Sequence, residues 1–234
     1  MRLQLKSAGA AQGLVESLRH DFAEATGAAL DCVFGPVGMV KRIVEQGEPC
    51  DAVILSETVM SDLAARHSAV LAGSVAALGW AATGVAVRLG EPTPDVSTAA
   101  GFRDALVDAT RIHAPDFAGS TAGKHLTWVL SRLGITAQVE GRLCEHRSGA
   151  EAMAHLADEE STAALGVTQA PEIVHTPGVT IAGALPGDLG LRTLYLAGVA
   201  VSSQAPDLAG RFVDFLTSTG TVDVRREAGF EVAD

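Results

Sequence analysis

Leu3-Gln4-Leu5-Lys6-Ser7-Ala8-Gly9-Ala10 opens on a short apolar strand, residues 3–5, and runs straight into a loop of small residues. Leu14, Val15, Leu18, Phe22 and Ala25 then recur at helical spacing, and Gly27 supplies a stop. The same unit repeats. Residues 29–34 read as a strand, Phe34-Gly35-Pro36-Val37-Gly38 as its loop, and Val40, Ile43 and Val44 as the inward face of a helix that ends at Gly47. Residues 51–55 form a third strand, apolar throughout its interior as a parallel strand covered on both faces should be. A helix over about 57–67 follows. Alternation of this kind predicts an α/β fold with mostly parallel sheets.

The middle of the chain repeats the alternation after an extended apolar segment, 80–87, and a turn-rich break at Gly90-Glu91-Pro92-Thr93-Pro94. Ser97 reads as the N-cap of a helix reaching about Val107. Strands are expected over 110–114, 139–144, 163–167 and 179–185, with helices over 124–133 and about 149–158. A second extended segment, 194–201, precedes a helix opened by Pro206 and a short terminal helix stopped by Gly229. The two extended segments bracket the middle series and suggest a two-strand hinge.

Four small-residue loops carry the functional reading: Ser7-Ala8-Gly9-Ala10, the Phe34 loop, Gly119-Ser120-Thr121-Ala122-Gly123 and Gly166-Val167-Thr168-Gln169. Each follows an apolar run and precedes a helical pattern, which leaves backbone N–H groups at a helix start, where anions bind. Net charge is -11 with no cluster of Lys and Arg, which argues against a phosphate-backbone partner such as nucleic acid. No apolar run reaches the length of a membrane span. Residues 1–5 enter the first strand with no apolar leader, so a cytoplasmic location is expected if Met1 is the native start and a periplasmic one if a signal peptide was removed.

Cys32, Cys50 and Cys144 are odd in number and lack paired spacing, so buried reduced thiols are expected rather than disulfides or zinc ligands. Seven histidines (His20, His67, His113, His125, His146, His155, His175) show no metal-binding spacing, and no metal or cofactor is expected. The loops match neither a Walker loop nor a dinucleotide fingerprint. Lys124, His125, His146 and Arg147 stand just beyond strand ends and could supply cations. Ser56 reads first as a helix cap. Ser120 and Thr121 could cap a helix, hold a ligand, or both.

Residues 7–22, the Phe34 loop with Lys41-Arg42-Ile43-Val44-Glu45-Gln46-Gly47-Glu48, the strand Asp51-Ala52-Val53-Ile54-Leu55-Ser56 and the ending Phe212-Val213-Asp214-Phe215-Leu216 resemble the molybdate-binding class of periplasmic substrate-binding proteins. The resemblance implies a type 2 periplasmic-binding-protein fold: two α/β lobes, a two-strand hinge and an interlobe cleft. Residues 1–82 with 198–234 would form one lobe and 83–197 the other. The resemblance implies ligand held between strand ends and helix starts, and the residues read at those places as ligand contacts are Gly9, Ala10, Ala11, Pro36, Val37, Gly38, Ser56, Ser120, Thr121, Gly123, Lys124, Arg147, Thr168 and Gln169. Molybdate binders of this class place serine hydroxyls where this chain has Ala10 and Pro36-Val37-Gly38, and a tyrosine near Thr168-Gln169. Each missing hydrogen bond to a charged ligand costs roughly 1.5–3 kcal/mol, so a molybdate or tungstate transport role ranks below binding of an organic di- or tricarboxylate. Some relatives resemble cofactor-free isomerases of unsaturated tricarboxylates such as aconitate isomerase. On that alternative His146 or His125 would be the base. An ABC transporter is an expected partner if the protein is exported.

Overall fold

The computed structural model describes residues 1–66 and 69–232. Its strands are β1 (Arg2–Ala8), β2 (Ala29–Gly35), β3 (Ala52–Ser56), β4 (Ala76–Arg88), β5 (Ile112–Pro115), β6 (Leu143–His146), β7 (Leu165–Gln169), β8 (Val179–Ala184) and β9 (Arg192–Val199). The helices are α1 (Gln12–Thr26), α2 (Val37–Glu45), α3 (Glu57–Ala65), α4 (Ala99–Asp108), α5 (Thr121–Arg132), α6 (Thr136–Val139), α7 (Gly149–Ala157), α8 (Ala170–His175), α9 (Pro206–Thr217) and α10 (Val222–Glu227). The expected end of the third helix, His67, lies outside the described residues, as do the last two residues of the terminal segment. Chain contacts divide the protein into a first unit, Met1–Ala81 with Thr193–Asp234, and a second, Ala82–Arg192.

The first unit is built on β1, which pairs parallel with β2 and with β3, while β9 adds antiparallel to β3. All five residues of β3 are buried, the result of helices covering both faces of a parallel strand. Leu14, Val15, Leu18 and Phe22 turn the inner face of α1 onto the sheet, and Phe22 meets Phe212 of α9 edge-on at 5.1 Å between ring centres. Full burial of side chains of this size contributes about 1.5–3 kcal/mol each. Ala25, expected on that face, is exposed, because the helix is ending there. Gly27 closes α1 at φ 69°, a left-handed conformation that glycine adopts without a Cβ clash.

In the second unit β5 is central, parallel to β6 and to β7, and β4 runs antiparallel to both β7 and β8. Val85, Phe102, Ile112, Leu126 and Val167 are fully buried in its core.

Two local expectations fail for identifiable reasons. Thr98, not Ser97, caps α4: its hydroxyl accepts the Gly101 N–H at 3.0 Å, while the Ser97 hydroxyl is held by Asp95 at 2.6 Å. Residues 139–142 are helical rather than extended, and β6 is only Leu143–His146. There Arg142 donates to the carbonyls of Val107, Ala109 and Gln138, which pins the turn beneath the end of α4. The short α8, opened by Pro171 in its first turn, has no counterpart in the periodicity.

Candidate functional site

Parallel pairing brings the loop residues of the first unit to one sheet edge. Ala8 is opposite Gly35, and Ser7 is opposite Ile54, so the chain leaves β1, β2 and β3 at the same level. Gly9, Ala10 and Ala11 form a 3-10 turn leading into α1, Pro36 immediately precedes α2, and Ser56 immediately precedes α3. None of these three helix starts has a side-chain cap. Alanine and proline carry no acceptor, and the Ser56 hydroxyl, expected to cap α3, makes no capping bond. The first-turn N–H groups of α2 and α3 therefore have no side-chain acceptor from their own N-cap.

The second unit treats its helices differently. Thr98, Ser120 and Ser148 each accept an N–H three residues on and cap α4, α5 and α7. The Ser120 hydroxyl accepts from the Gly123 N–H at 2.8 Å and donates to the Asp116 carbonyl at 2.7 Å, so its proton is already committed within the loop. Thr121 begins α5, Gly123 is buried in its first turn, and Lys124 is exposed one residue further on. Arg147 is also exposed, its guanidinium turned back on the Glu151 carboxylate at 3.0–3.2 Å. His125 Nε2 donates to the Leu189 carbonyl, 2.7 Å away; since a carbonyl only accepts, that nitrogen carries the proton.

Pairing of Pro115 with His146 and of His113 with Gly166 places the ends of β5, β6 and β7 on one edge of the second unit. Thr168 and Gln169 lie there, both buried. The Thr168 hydroxyl bonds the Glu172 carboxyl, which also receives the backbone N–H groups of Gln169 and Gly149. Gln169 Nε2 donates to the Thr83 hydroxyl at 3.2 Å, and its Oε1 is buried without a hydrogen-bond partner.

A polar chain missed in the sequence crosses the second unit. His113 Nδ1 is 3.0 Å from His146 Nε2, and His113 Nε2 is 3.2 Å from Glu159 Oε2. His155 stacks on His146 with ring centres 4.5 Å apart. Burial holds both His113 and His146 below the usual imidazole range, reinforced at His146 by the neighbouring His113 and His155. Among the described residues no group of three or more His, Cys, Asp or Glu side chains is arranged to hold a metal ion. The contact joins residues 33 and 46 positions apart, which no local spacing signals. The three cysteines are free; Cys50 is buried, with its thiol pushed up to about 11 by desolvation, whereas Cys32 and Cys144 are only half-buried.

The model of the bacterial extracellular solute-binding proteins matches residues 3–231. The chain belongs to this family. Among solved structures, the periplasmic molybdate-binding protein of Azotobacter vinelandii is similar with a TM-score of 0.77 and 21% identity, over 99% of this chain and 100% of that one. The sulfate-binding protein of Mycobacterium tuberculosis is similar with a TM-score of 0.78 and 15% identity, over 100% of this chain and 88% of that one. These likenesses establish the two-lobed α/β fold of periplasmic binding proteins. An aconitate isomerase of a Pseudomonas species is 24% identical over 98% of this chain and 87% of its own length. No described helix is long and apolar enough to cross a membrane.

Proposed function

We propose that this member of the solute-binding family binds a small organic anion, a di- or tricarboxylate, through the strand-end loops of its units. The reading rests on one observation: α1, α2 and α3 start on a single sheet edge with no side-chain cap. Helix dipoles favour negative charge there, and each N–H to a charged acceptor is worth about 1.5–3 kcal/mol. Ala10 and Val37 add apolar contact instead of hydroxyl donors, which suits a carbon skeleton better than a tetrahedral oxyanion. Gly9, Ala11, Pro36, Gly38 and Ser56 complete this part of the site, with Ser120, Thr121, Gly123, Lys124, Arg147, Thr168 and Gln169 as the second unit's contribution. Periplasmic or extracellular capture for a transporter is the role that the family favours.

Glu57 offers a clean test, because it is exposed and holds the first position of α3, where proline is tolerated. Ser56, with φ -64° and ψ 148°, already has the conformation required before proline. Both Glu57→Ala and Glu57→Pro lose the charge, and only the second loses an N–H. Calorimetry with citrate, tricarballylate and trans-aconitate should show the proline variant about tenfold to hundredfold weaker than the alanine variant. Equal affinities would place the ligand elsewhere.

A second reading, cofactor-independent isomerisation of an unsaturated carboxylate, is favoured by the Glu159–His113–His146 chain and by the 24% identity to an aconitate isomerase.

A further inference from the structure

We propose that Glu159, His113 and His146 form a proton relay that makes Nδ1 of His146 a base toward an unsaturated carboxylate bearing an acidic C–H; this rests on the isomerase reading above. The tautomers follow from the donors and acceptors in the chain. The Ser161 backbone N–H is 3.1 Å from Glu159 Oε1, and Arg111 Nε is 3.5 Å from Glu159 Oε2, so Glu159 is held ionised and can only accept. His113 Nε2, 3.2 Å from Oε2, must then carry the proton, which leaves Nδ1 of the neutral ring as an acceptor. His146 Nε2, 3.0 Å from that nitrogen, donates to it. The lone pair of His146 is thereby placed on Nδ1.

Position and burial support a catalytic rather than a packing role. His146 is the last residue of β6, half-buried, two residues before the cap of α7 and on the edge shared with Thr168 and Gln169. His113 is nearly inaccessible, its side chain 5% exposed, so a neutral ring there costs free energy unless both nitrogens are bonded, and both are. Burial outweighs the carboxylates that face the two rings and keeps both below the usual imidazole range. His155 of α7 and His113 of β5 disfavour a positive His146, whereas Glu151 of α7, engaged by Arg147, favours it; Arg111, the residue before β5, and His155 oppose a positive His113, and Glu159 favours it.

The step balances without an oxidant or cofactor. His146 Nδ1 takes the proton from the sp3 carbon lying between a carboxylate and a C=C bond. The C–H electron pair spreads over the allylic carbons and the carboxylate oxygens, while the imidazolium is stabilised through His113 by Glu159. The captured proton exchanges with solvent while it resides on the imidazolium, and His146 then delivers a proton to the far allylic carbon, which moves the double bond and restores neutral His146. His146 is the catalytic residue; His113 and Glu159 are positioning residues.

Exchange of the allylic hydrogens of trans-aconitate into deuterated water, followed by proton NMR, tests the relay, with trans-aconitate binding measured by calorimetry on the same samples. The unmodified protein should catalyse exchange, and His146→Gln should retain binding while slowing exchange at least a hundredfold. Glu159→Gln still accepts from His113 but no longer stabilises the cation, so the acid limb of its pH–rate profile should move to lower pH. A purely structural Glu159 would leave that limb in place. Nitrogen-15 spectra of histidine-labelled protein should show the Nε2-protonated tautomer at both His113 and His146, a readout that needs no variant to fold. Binding of trans-aconitate with exchange at the background rate, or full exchange in His146→Gln, overturns the relay and leaves carboxylate binding standing. No binding of any carboxylate overturns both.

Discussion

Glu172 shows how tightly a single buried carboxyl is held. It is 8% exposed and receives the Thr168 hydroxyl and the backbone N–H groups of Gln169 and Gly149. As the third residue of α8, it reaches back to the N–H of Gln169, the N-cap before its own helix, the reciprocal half of a capping box. A Cβ at position 149 would fall on the Glu172 carboxyl and the Thr168 hydroxyl, which is why only glycine fits there. Burial pushes the Glu172 carboxyl above the usual carboxylate range. A raised folded-state value favours the protonated form in the folded protein. Its contribution to stability is full below the unfolded carboxylate pKa and is lost as pH rises through the folded value. Glu172→Gln keeps an acceptor for the two N–H groups and removes the charge. Urea denaturation should therefore find it at least as stable as the parent at pH 8, with an advantage that shrinks toward pH 5. A variant less stable at pH 8 than at pH 5, relative to the parent, would show that the carboxylate is the favoured form.

At the scale of elements, the histidine stack sets the opposite pH dependence. His113 on β5 and His146 on β6 are both held below the usual imidazole value, by burial first, with His155 lowering both and His113 lowering His146. A depressed folded-state value means that the unfolded chain binds protons more readily. The contribution is complete above the unfolded value, 6.5, and falls as pH drops through the folded values. Denaturation curves at pH 7.5 and pH 5.5 should show lower stability at the lower pH, and His113→Phe should reduce the difference. An unchanged difference would assign the acid sensitivity to other groups. Strand and helix patterns were legible wherever a run was long and periodic: α1, β2, β3, α7 and α9 stand where their spacing puts them. Residues 139–142 were not, because Arg142 fixes a helical turn through carbonyls more than thirty positions away. The same distance hid the Glu159–His113–His146 chain. His146 could be singled out by residue type and place, but its partners are supplied by the pairing of β5 with β6 and by the end of α7.

For the whole molecule, ligand choice turns on what the loops offer to an anion that arrives without its counter-ions. The protein carries a net charge of -11, so binding must come from local donors and not from the general field. Loops without hydroxyls at Ala10 and Val37 offer backbone N–H groups and methyls. Molybdate presents oxygen on all sides and needs donors on all sides; a tricarboxylate presents oxygen at its ends and carbon between. Ligand that binds only the folded state stabilises it by RT ln(1 + [L]/Kd), about 2.7 kcal/mol at a hundred times Kd. A thermal-shift series at equal concentration should accordingly raise the melting temperature more with citrate, tricarballylate or trans-aconitate than with molybdate, tungstate or sulfate. Ala10→Ser should narrow that gap by improving the oxyanions, since the new hydroxyl would stand on the edge where β1 ends. A larger shift with molybdate than with any carboxylate in the unmodified protein would mean that backbone donors alone satisfy a tetrahedral dianion, and that the missing hydroxyls do not set ligand choice.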